Sequence, residues 1–409
     1  MSSIKVWHPT GKLKAAIDIP GSKSESNRAL ILRALSKGHI EISNLSPARD
    51  TQNLLAILNT DGVEANIEDA GTSMRFLPAF YCATGQHKII TGNERMLKRP
   101  IHPLVNALID IGFDVHYLGE EGFPPLETHP VNLSKLDNEV WIEGNISSQF
   151  ITALLLIAPT LPNGLRLKFT TELTSRPYIE MTLQMLQHFG IQYSWADQTI
   201  EVMPGALNNK SYAVGGDWSA ASYWYAMAFL AEEAELLLKG LRDDWSQGDR
   251  EIADWMKRFG VVTEFTADGV LLKKQAVNYP KMMKLNFRDN PDLAQTFAFM
   301  FAAKNIYATF SGIDSLRIKE TDRIAALHNE LLKVNVHFDY ADMYEFYQLK
   351  GEFNLPAQAF ATYNDHRMAM AAAPLALAGA IEIEDPAVVA KSYPGFWEEM
   401  QKAGFEIKT

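Results

Sequence analysis

Cysteine is nearly absent from this 409-residue sequence: the single Cys82 excludes an intramolecular disulfide and any metal site built on several thiolates. It lies in the apolar run "FLPAFYCATG", where core packing is a better account than nucleophilic duty. Positive charge is also short. Thirty-eight Lys and Arg against 49 Asp and Glu give a formal charge of −11, which argues against a general nucleic-acid binder, because such a protein must neutralise many phosphates. No stretch offers about 18 apolar residues without a break such as Pro374, and the start "MSSIKVWHPTGKLKA" has no continuous apolar segment of the export-signal kind. A soluble, cytoplasmic protein is expected. Ten histidines are scattered without HExxH or comparable ligand spacing, so neither a metal nor another cofactor is implied. "GSKS" at 21–24 is not a P-loop: it lacks an adjacent Gly-Lys, and Ala16 stands where the earlier glycine would be. No GxGxxG follows a strand.

What the chain has in quantity is repetition. At 47% hydrophobic and 21% charged it is long enough for two or three domains with cores of ordinary size. One pattern recurs: an amphipathic helix, then Gly or Asn, then a β-branched or aromatic residue opening a short strand. The copies are "LLAILNTDGVEANI", "LVNALIDIGFDVHYL", "MTLQMLQHFGIQYSW", "IADWMKRFGVVTEFT", "IAALHNELLKVNVHFDY" and "FWEEMQKAGFEI". Their junctions, Gly62, Gly112, Gly190, Gly260, Asn335 and Gly404, suit left-handed helix C-caps. A second series interleaves: "SKSESNRALILRAL", "GTSMRFLPAFYCA", "SSQFITALLLIAP", "DWSAASYWYAMAF", "NPDLAQTFAFMFAA" and "NDHRMAMAAAPLALA". Each opens on small, polar or acidic residues suited to an N-cap and continues nearly all apolar, the pattern of a buried helix. With strands such as "KIITG", "LRLKF", "ELLLKG" and "IYATFSG" between them, the chain reads as six units, each roughly βαβαββ. Six buried helices in one bundle would make too large a core, so two groups of three are expected.

The scarce cations gather at the starts of these helices. Lys23, Ser24 and Arg28 lie at the first, Thr72 and Arg75 at the second, Ser147, Ser148 and Gln149 at the third, and His366 and Arg367 at the last. The segments before the amphipathic helices add Arg95, Lys98 and Arg99, then Ser175, Arg176 and Tyr178, then Lys319, Glu320 and Arg323, and finally Lys391. Helix N-termini present free N–H groups and the positive end of the dipole, so cations and hydroxyls placed there suit a ligand with several negative charges. Taken singly, each has a plainer account. A Lys or Arg near a helix start is more often solvated or ion-paired, Ser147 and Ser175 could be simple N-caps, Asp292 could cap its helix, and Glu320 could pair with Arg323 at i,i+3 on the surface.

Together the segments "PGSKSESNRALILRAL", "AGTSMR", "ERMLKRPI", "ISSQFITALLLIAP", "TSRPYIEMTL", "GDWSAASYW", "LRIKETDRI", "YNDHRMAMA" and "AKSYPGFW" resemble the signature segments of the 5-enolpyruvylshikimate-3-phosphate synthases, in order and over essentially the whole chain. The resemblance implies a two-domain, inverse α/β barrel-like fold of six βαβαββ units, three per domain, with the active site in the cleft between them. It places one domain at 1–20 plus 216–409 and an inserted one at 21–215, with the "GSKS" stretch at the hinge. It implies transfer of the enolpyruvyl group of phosphoenolpyruvate to the 5-hydroxyl of shikimate 3-phosphate, releasing phosphate, in a monomer that closes on its ligands. Carried over by motif, Lys23, Ser24, Arg28, Ser147, Ser148, Gln149, Ser175, Tyr178, Asp292, Ser315 and Lys319 would bind shikimate 3-phosphate. Lys23, Gly71, Arg95, Gln149, Arg323, Arg367 and Lys391 would bind phosphoenolpyruvate. Asp292 would be the base for the 5-hydroxyl, with Glu320 and Lys319 the proton-transfer pair and Lys23 a further catalytic residue; which of the pair protonates the methylene stays open.

Four positions depart from the family pattern: Asp69 for an asparagine, Phe76 for a proline, Ser315 where asparagine is common, and Glu25 inside the basic turn. They bear on substrate affinity and inhibitor response, and Glu25 is expected to point away from the ligands. Two alternatives stand beside the main reading. The sister enzyme that uses UDP-N-acetylglucosamine has Lys-Asn in the first turn and a loop cysteine, whereas Lys23 is followed by Ser24 here and no loop cysteine exists. A catalytically silent binding protein would have lost its acid-base residues, and Asp292, Glu320 and Lys319 are all present.

Overall fold

A computed structural model describes residues 2–244, 246–341 and 346–409. The chain forms two compact units, one of Met1–Ser22, Pro47–Arg49 and Gly215–Thr409, the other of Lys23–Ser46 and Asp50–Val214. It opens with strands β1 (Ser3–Trp7) and β2 (Lys12–Asp18), then helix α1 (Lys23–Leu35), β3 (Ile42–Ser43) and α2 (Arg49–Leu58). Next come β4 (Glu64–Asn66), α3 (Gly71–Thr84), β5 (Lys88–Thr91), α4 (His102–Ile111), β6 (Asp114–Tyr117) and β7 (Leu126–His129). The pattern returns as β8 (Glu139–Ile142), α5 (Ser148–Ile157), β9 (Leu165–Phe169), α6 (Arg176–His188), β10 (Tyr193–Ala196) and β11 (Thr199–Val202). After β12 (Tyr212–Ala213) follow α7 (Trp218–Leu230), β13 (Glu233–Lys239), α8 (Ile252–Met256), β14 (Val261–Thr266) and β15 (Gly269–Lys274). The last repeats are β16 (Met282–Asn286), α9 (Ala294–Ala303), β17 (Tyr307–Ser311), α10 (Arg323–Leu332), β18 (Val336–Ala341) and β19 (Phe346–Gly351), then α11 (His366–Ala372), β20 (Ile381–Glu384), α12 (Phe396–Lys402) and β21 (Glu406–Lys408).

One strand order recurs. The sheets β4-β5-β7-β6, β8-β9-β11-β10, β2-β13-β15-β14 and β16-β17-β19-β18 share it: the first two strands are parallel, joined through one helix except between β2 and β13, where the other unit is inserted, and the last two form an antiparallel hairpin returned against the second. The fifth copy is completed from far away in sequence. Strand β1 takes the inner hairpin place in β20-β1-β21, and Phe360 alone bridges Ile383 in parallel as its first strand. The sixth is reduced to the parallel pair β12-β3. Among the described residues six helix pairs are thus served by four complete four-stranded sheets, the other two copies having a three-stranded sheet and a short strand pair.

The helices with no polar face form the cores. In one unit α1, α3 and α5 touch one another, and in the other α9 packs against both α7 and α11. All three helices of each trio start at the same end. The Arg28 guanidinium donates to Thr152 Oγ1 at 3.2 Å, and Gln149 Nε2 lies 3.5 Å from Thr72 Oγ1. In the other trio the Ser222 and Thr296 hydroxyls meet at 3.0 Å, and Arg367 reaches the Tyr223 hydroxyl at 3.4 Å. Cys82 is fully buried in α3, where burial pushes its thiol up to about 12, an inert state.

Two local expectations fail for identifiable reasons. Gly112, Gly190, Gly260, Asn335 and Gly404 have positive φ at their helix ends, but Gly62 does not, because α2 stops at Leu58 and the junction is made earlier. Helix α1 is buried but not apolar throughout: Glu25, Ser26, Asn27 and Arg28 are all interior. Both backbone and side chains meet them, as Ser26 Oγ accepts from the Ser46 backbone N–H and Asn27 Oδ1 from the Thr51 hydroxyl.

Fully buried Leu155 in α5 touches only core, so Leu155→Ala is expected to cost about 3 kcal/mol, and exposed Gln187→Ala in α6 less than about 0.5 kcal/mol. Urea unfolding of the two variants checks the contrast.

Candidate active site

In the first trio the shared helix starts collect hydroxyls and guanidinium groups. Lys23 opens α1 with its ammonium 3.2 Å from Asp50 Oδ2, the two side chains 15% and 3% exposed. Arg28 is 3% exposed and ties α1 to α5 and α6: it donates to Thr182 Oγ1 at 2.9 Å, Ser24 O at 2.8 Å and Tyr178 O at 3.2 Å besides Thr152. Burial lowers its pKa to about 10, which leaves it cationic at neutral pH. Glu25 is also buried, and its carboxylate accepts from the Tyr212 hydroxyl at 2.9 Å.

Gly71 is the first residue of α3. A Cβ there would lie 2.7 Å from Arg99 Nη1, so a side chain at this position would make the guanidinium shift from its place against the start of the helix. A cation on the positive end of a helix dipole is unfavourable by itself and favourable once an anion sits between them. Arg99 is buried, while its neighbours Arg95 and Lys98 are exposed. Ser147 is a true N-cap whose oxygen accepts from the Gln149 N–H at 3.3 Å, with Ser148 buried behind it. Ser175 is different. It holds a left-handed φ of 54° at the start of α6, and its side chain makes no capping bond; such a conformation in a non-glycine residue carries strain of the kind found at functional sites.

Not every cation at these starts belongs to the group. Arg75 donates to Gly71 O at 3.2 Å and Pro100 O at 3.3 Å and serves the backbone. Arg176 is exposed, paired with Glu180 at 2.9 Å and laid over Trp195 at 4.5 Å.

The other unit holds a tighter charged network. Arg323, the first residue of α10, is 1% exposed and meets three carboxylates: Asp365 Oδ2 at 2.7 Å, Asp292 Oδ1 at 3.0 Å and Glu320 Oε2 at 2.6 Å. Burial would lower its pKa, yet Asp365, Glu320 and Asp292 together hold it above the usual arginine value. Arg367 takes the other oxygen of Asp292 at 2.8 Å. Asp365 is the N-cap of α11 and accepts from the Arg367 N–H at 2.9 Å, so one buried carboxylate sets both arginines. Asp292 lies in the 3-10 turn Pro291–Leu293 ahead of α9; it caps nothing and bridges the two guanidinium groups. Burial pushes its pKa up, but Arg367, Lys319 and Arg323 outweigh that and keep it well below the ordinary carboxylate range. The Glu320–Arg323 pair forms as its spacing suggests, but in the interior. Ser315 lies in the 3-10 turn Asp314–Ile318 with Lys319 just after it, and Lys391 is 1% exposed at the end of the turn Pro386–Lys391.

The family model described as EPSP synthase (3-phosphoshikimate 1-carboxyvinyltransferase) matches residues 7–70 and 59–400. A Bacteroides fragilis protein named 3-phosphoshikimate 1-carboxyvinyltransferase is 46% identical over 400 residues, 97% of each chain. The chain belongs to the EPSP synthase family. A protein of the same name from Haemophilus influenzae is 34% identical over 432 residues, 96% of this chain and 97% of its own. Among solved structures, EPSP synthase from Acinetobacter baumannii aligns over 100% of both chains with a TM-score of 0.75 at 20% identity, a likeness of fold. The repeated two-unit α/β architecture is that of this family.

Of the departures from the family pattern, Phe76 has a structural account. It lies in the second turn of α3, not at its start, and is buried with the Arg28 guanidinium 5.7 Å from its ring centre. Sequence reasoning missed Asp50 and Asp365, whose importance rests on buried partners far away in sequence, and it missed Asp249. Asp249 is 2% exposed in the turn Gly248–Glu251; the Ser219 hydroxyl donates to one of its oxygens, and the other has no hydrogen-bond partner among the described residues.

Burial, with the charge of Asp292 next, pushes the Asp249 carboxyl up to about 7. Its folded pKa is thus above the unfolded value near 3.9, so its contribution to stability is fully present below about pH 4 and is lost as pH rises through 7. Asp292, shifted the other way, adds no slope above about pH 5. Asp249→Asn is therefore expected to gain stability relative to the unmodified protein between pH 5 and 8; denaturation series across that range that stay parallel contradict the assignment.

Proposed function

We infer that this chain transfers the enolpyruvyl group of phosphoenolpyruvate to the 5-hydroxyl of shikimate 3-phosphate with release of phosphate. The observation that carries the reading is the Asp292 carboxylate shared by Arg323 and Arg367 beside Glu320 and Lys319, in a chain of this family. Two substrates bring two phosphates and two carboxylates, and the acidic chain concentrates its cations where helix starts converge.

We assign Ser24, Arg28, Ser147, Ser148, Gln149, Ser175, Tyr178 and Ser315 to shikimate 3-phosphate, and Gly71, Arg95, Arg323, Arg367 and Lys391 to phosphoenolpyruvate, with Lys23 between the two ligands. The left-handed Ser175, whose hydroxyl is not used as a cap, supports the first group. The two arginines aimed at one carboxylate support the second. In the addition step the 5-oxygen bonds to the central carbon of phosphoenolpyruvate, its proton passes to Asp292, and Glu320 or Lys319 delivers a proton to the methylene carbon. Elimination from the tetrahedral adduct then takes a proton back from the new methyl group and expels phosphate. The protein is proposed to act as a cytoplasmic monomer; among the described residues no helix is long and apolar enough to cross a membrane.

Phosphate release is expected only when both substrates are supplied. Release with phosphoenolpyruvate and UDP-N-acetylglucosamine in place of shikimate 3-phosphate would overturn the reading in favour of the sister reaction. Asp292→Asn and Glu320→Gln are expected to bind both substrates while kcat falls about 10²–10⁴-fold; near-normal turnover in either removes that residue from the mechanism.

A further inference from the structure

Away from every residue assigned to the substrates, one sheet gathers three histidines and two carboxylates. In β4-β5-β7-β6, Asp114 faces His129, His116 faces Glu127 and Lys88 faces Thr128. Side chains alternate along a strand, so Glu127 and His129 share a face, and His87, one residue ahead of β5, reaches it from the next strand. His87 Nε2 is 2.8 Å from Glu127 Oε1, and His129 Nε2 is 3.5 Å from Glu127 Oε2. The His87 and His129 rings stack at 4.8 Å with 11° between their planes, and one ligand atom from each of the three side chains lies within 4.8 Å of the others. His116 stands edge-on to His129 at 5.6 Å, its Nε2 2.7 Å from Asp114 Oδ1.

We propose that His87, Glu127 and His129 form a surface binding site for a zinc-class divalent cation, with the His116 ring beside His129. Ligands about 2.0–2.2 Å from a tetrahedral zinc lie about 3.3–3.6 Å from one another, and the two histidine–carboxylate spacings of 2.8 and 3.5 Å are close to that range. Two imidazole nitrogens with one carboxylate select zinc, nickel, cobalt or copper over magnesium and calcium, which take oxygen ligands. The His87 hydrogen bond keeps the Glu127 carboxyl below its ordinary range, the ionised state a cation requires. Linear spacing could not show the site, because His87 lies just ahead of a different strand, 40 residues before Glu127.

The site ties β5 to β7, so an ion bound there stabilises the folded state. Titration calorimetry of the full chain with zinc chloride at pH 7.5 is expected to give one ion per chain. His129→Ala and Glu127→Gln should each weaken it at least tenfold and remove the zinc-dependent rise in Tm. Binding should also weaken as the pH is lowered, because protons compete with the metal for its ligands. All four side chains are at the surface and outside the proposed active site, so circular dichroism and phosphate release without zinc should be unchanged in the variants. Absence of binding to the unmodified chain, or equal binding to His129→Ala, overturns the proposal.

Discussion

A helix without a polar face has to be covered on all sides, and that constraint organises each unit. Helices α3, α5, α7 and α9 are apolar almost all round, and no single sheet or amphipathic helix could enclose one of them. Packed three together, they cover one another, and the outer sheets and amphipathic helices close what remains. The repeated strand order follows, because every copy must deliver one buried helix inward and one amphipathic helix outward. Copies can lose strands, as β12-β3 has, provided the buried helix is kept.

The same packing has an electrostatic consequence. Three helices that start at one end bring three sets of free N–H groups and three positive dipole ends together. Such a surface favours anions, and the residues there increase the effect: Arg99 lies on the start of α3 because Gly71 has no Cβ, and Arg323 and Arg367 stand at the starts of α10 and α11. Burying Arg323 would cost several kcal/mol if it were alone. Asp365, Asp292 and Glu320 offset that cost, and because Asp365 is wholly enclosed it fixes the geometry of the others.

The helices were legible because their period and their capping residues are local properties. The strands "KIITG", "LRLKF", "ELLLKG" and "IYATFSG" correspond to β5, β9, β13 and β17 for the same reason. Borrowing of β1 by β20 and β21 was not legible, since the two lie more than 370 residues apart in the chain and nothing in a short strand names its partner. The cations of the site stood out by motif, but their partners did not. Nothing in the sequence shows that Arg75 is held by the carbonyls of Gly71 and Pro100, or Arg176 by the Glu180 carboxylate and the Trp195 ring. Asp249 carried no signal at all, because its character comes from burial beside Asp292.

Asp292 presents a problem that its surroundings also answer. A general base works best when its pKa is near the working pH, yet Arg367, Lys319 and Arg323 hold this carboxylate far below it. In that state it is ionised but a poor proton acceptor. The arginines that weaken it are the ones proposed to take phosphoenolpyruvate. An anion that draws their charge, by accepting the N–H donors now given to Asp292 Oδ1 and Oδ2, withdraws the stabilisation of the carboxylate and raises its basicity. Burial, which already pushes the pKa upward, then acts with less opposition. On the proposed assignment the base is quiet without the anion and strengthened by its arrival, so that the proton of the acceptor hydroxyl would be taken only when the group to be transferred is in place.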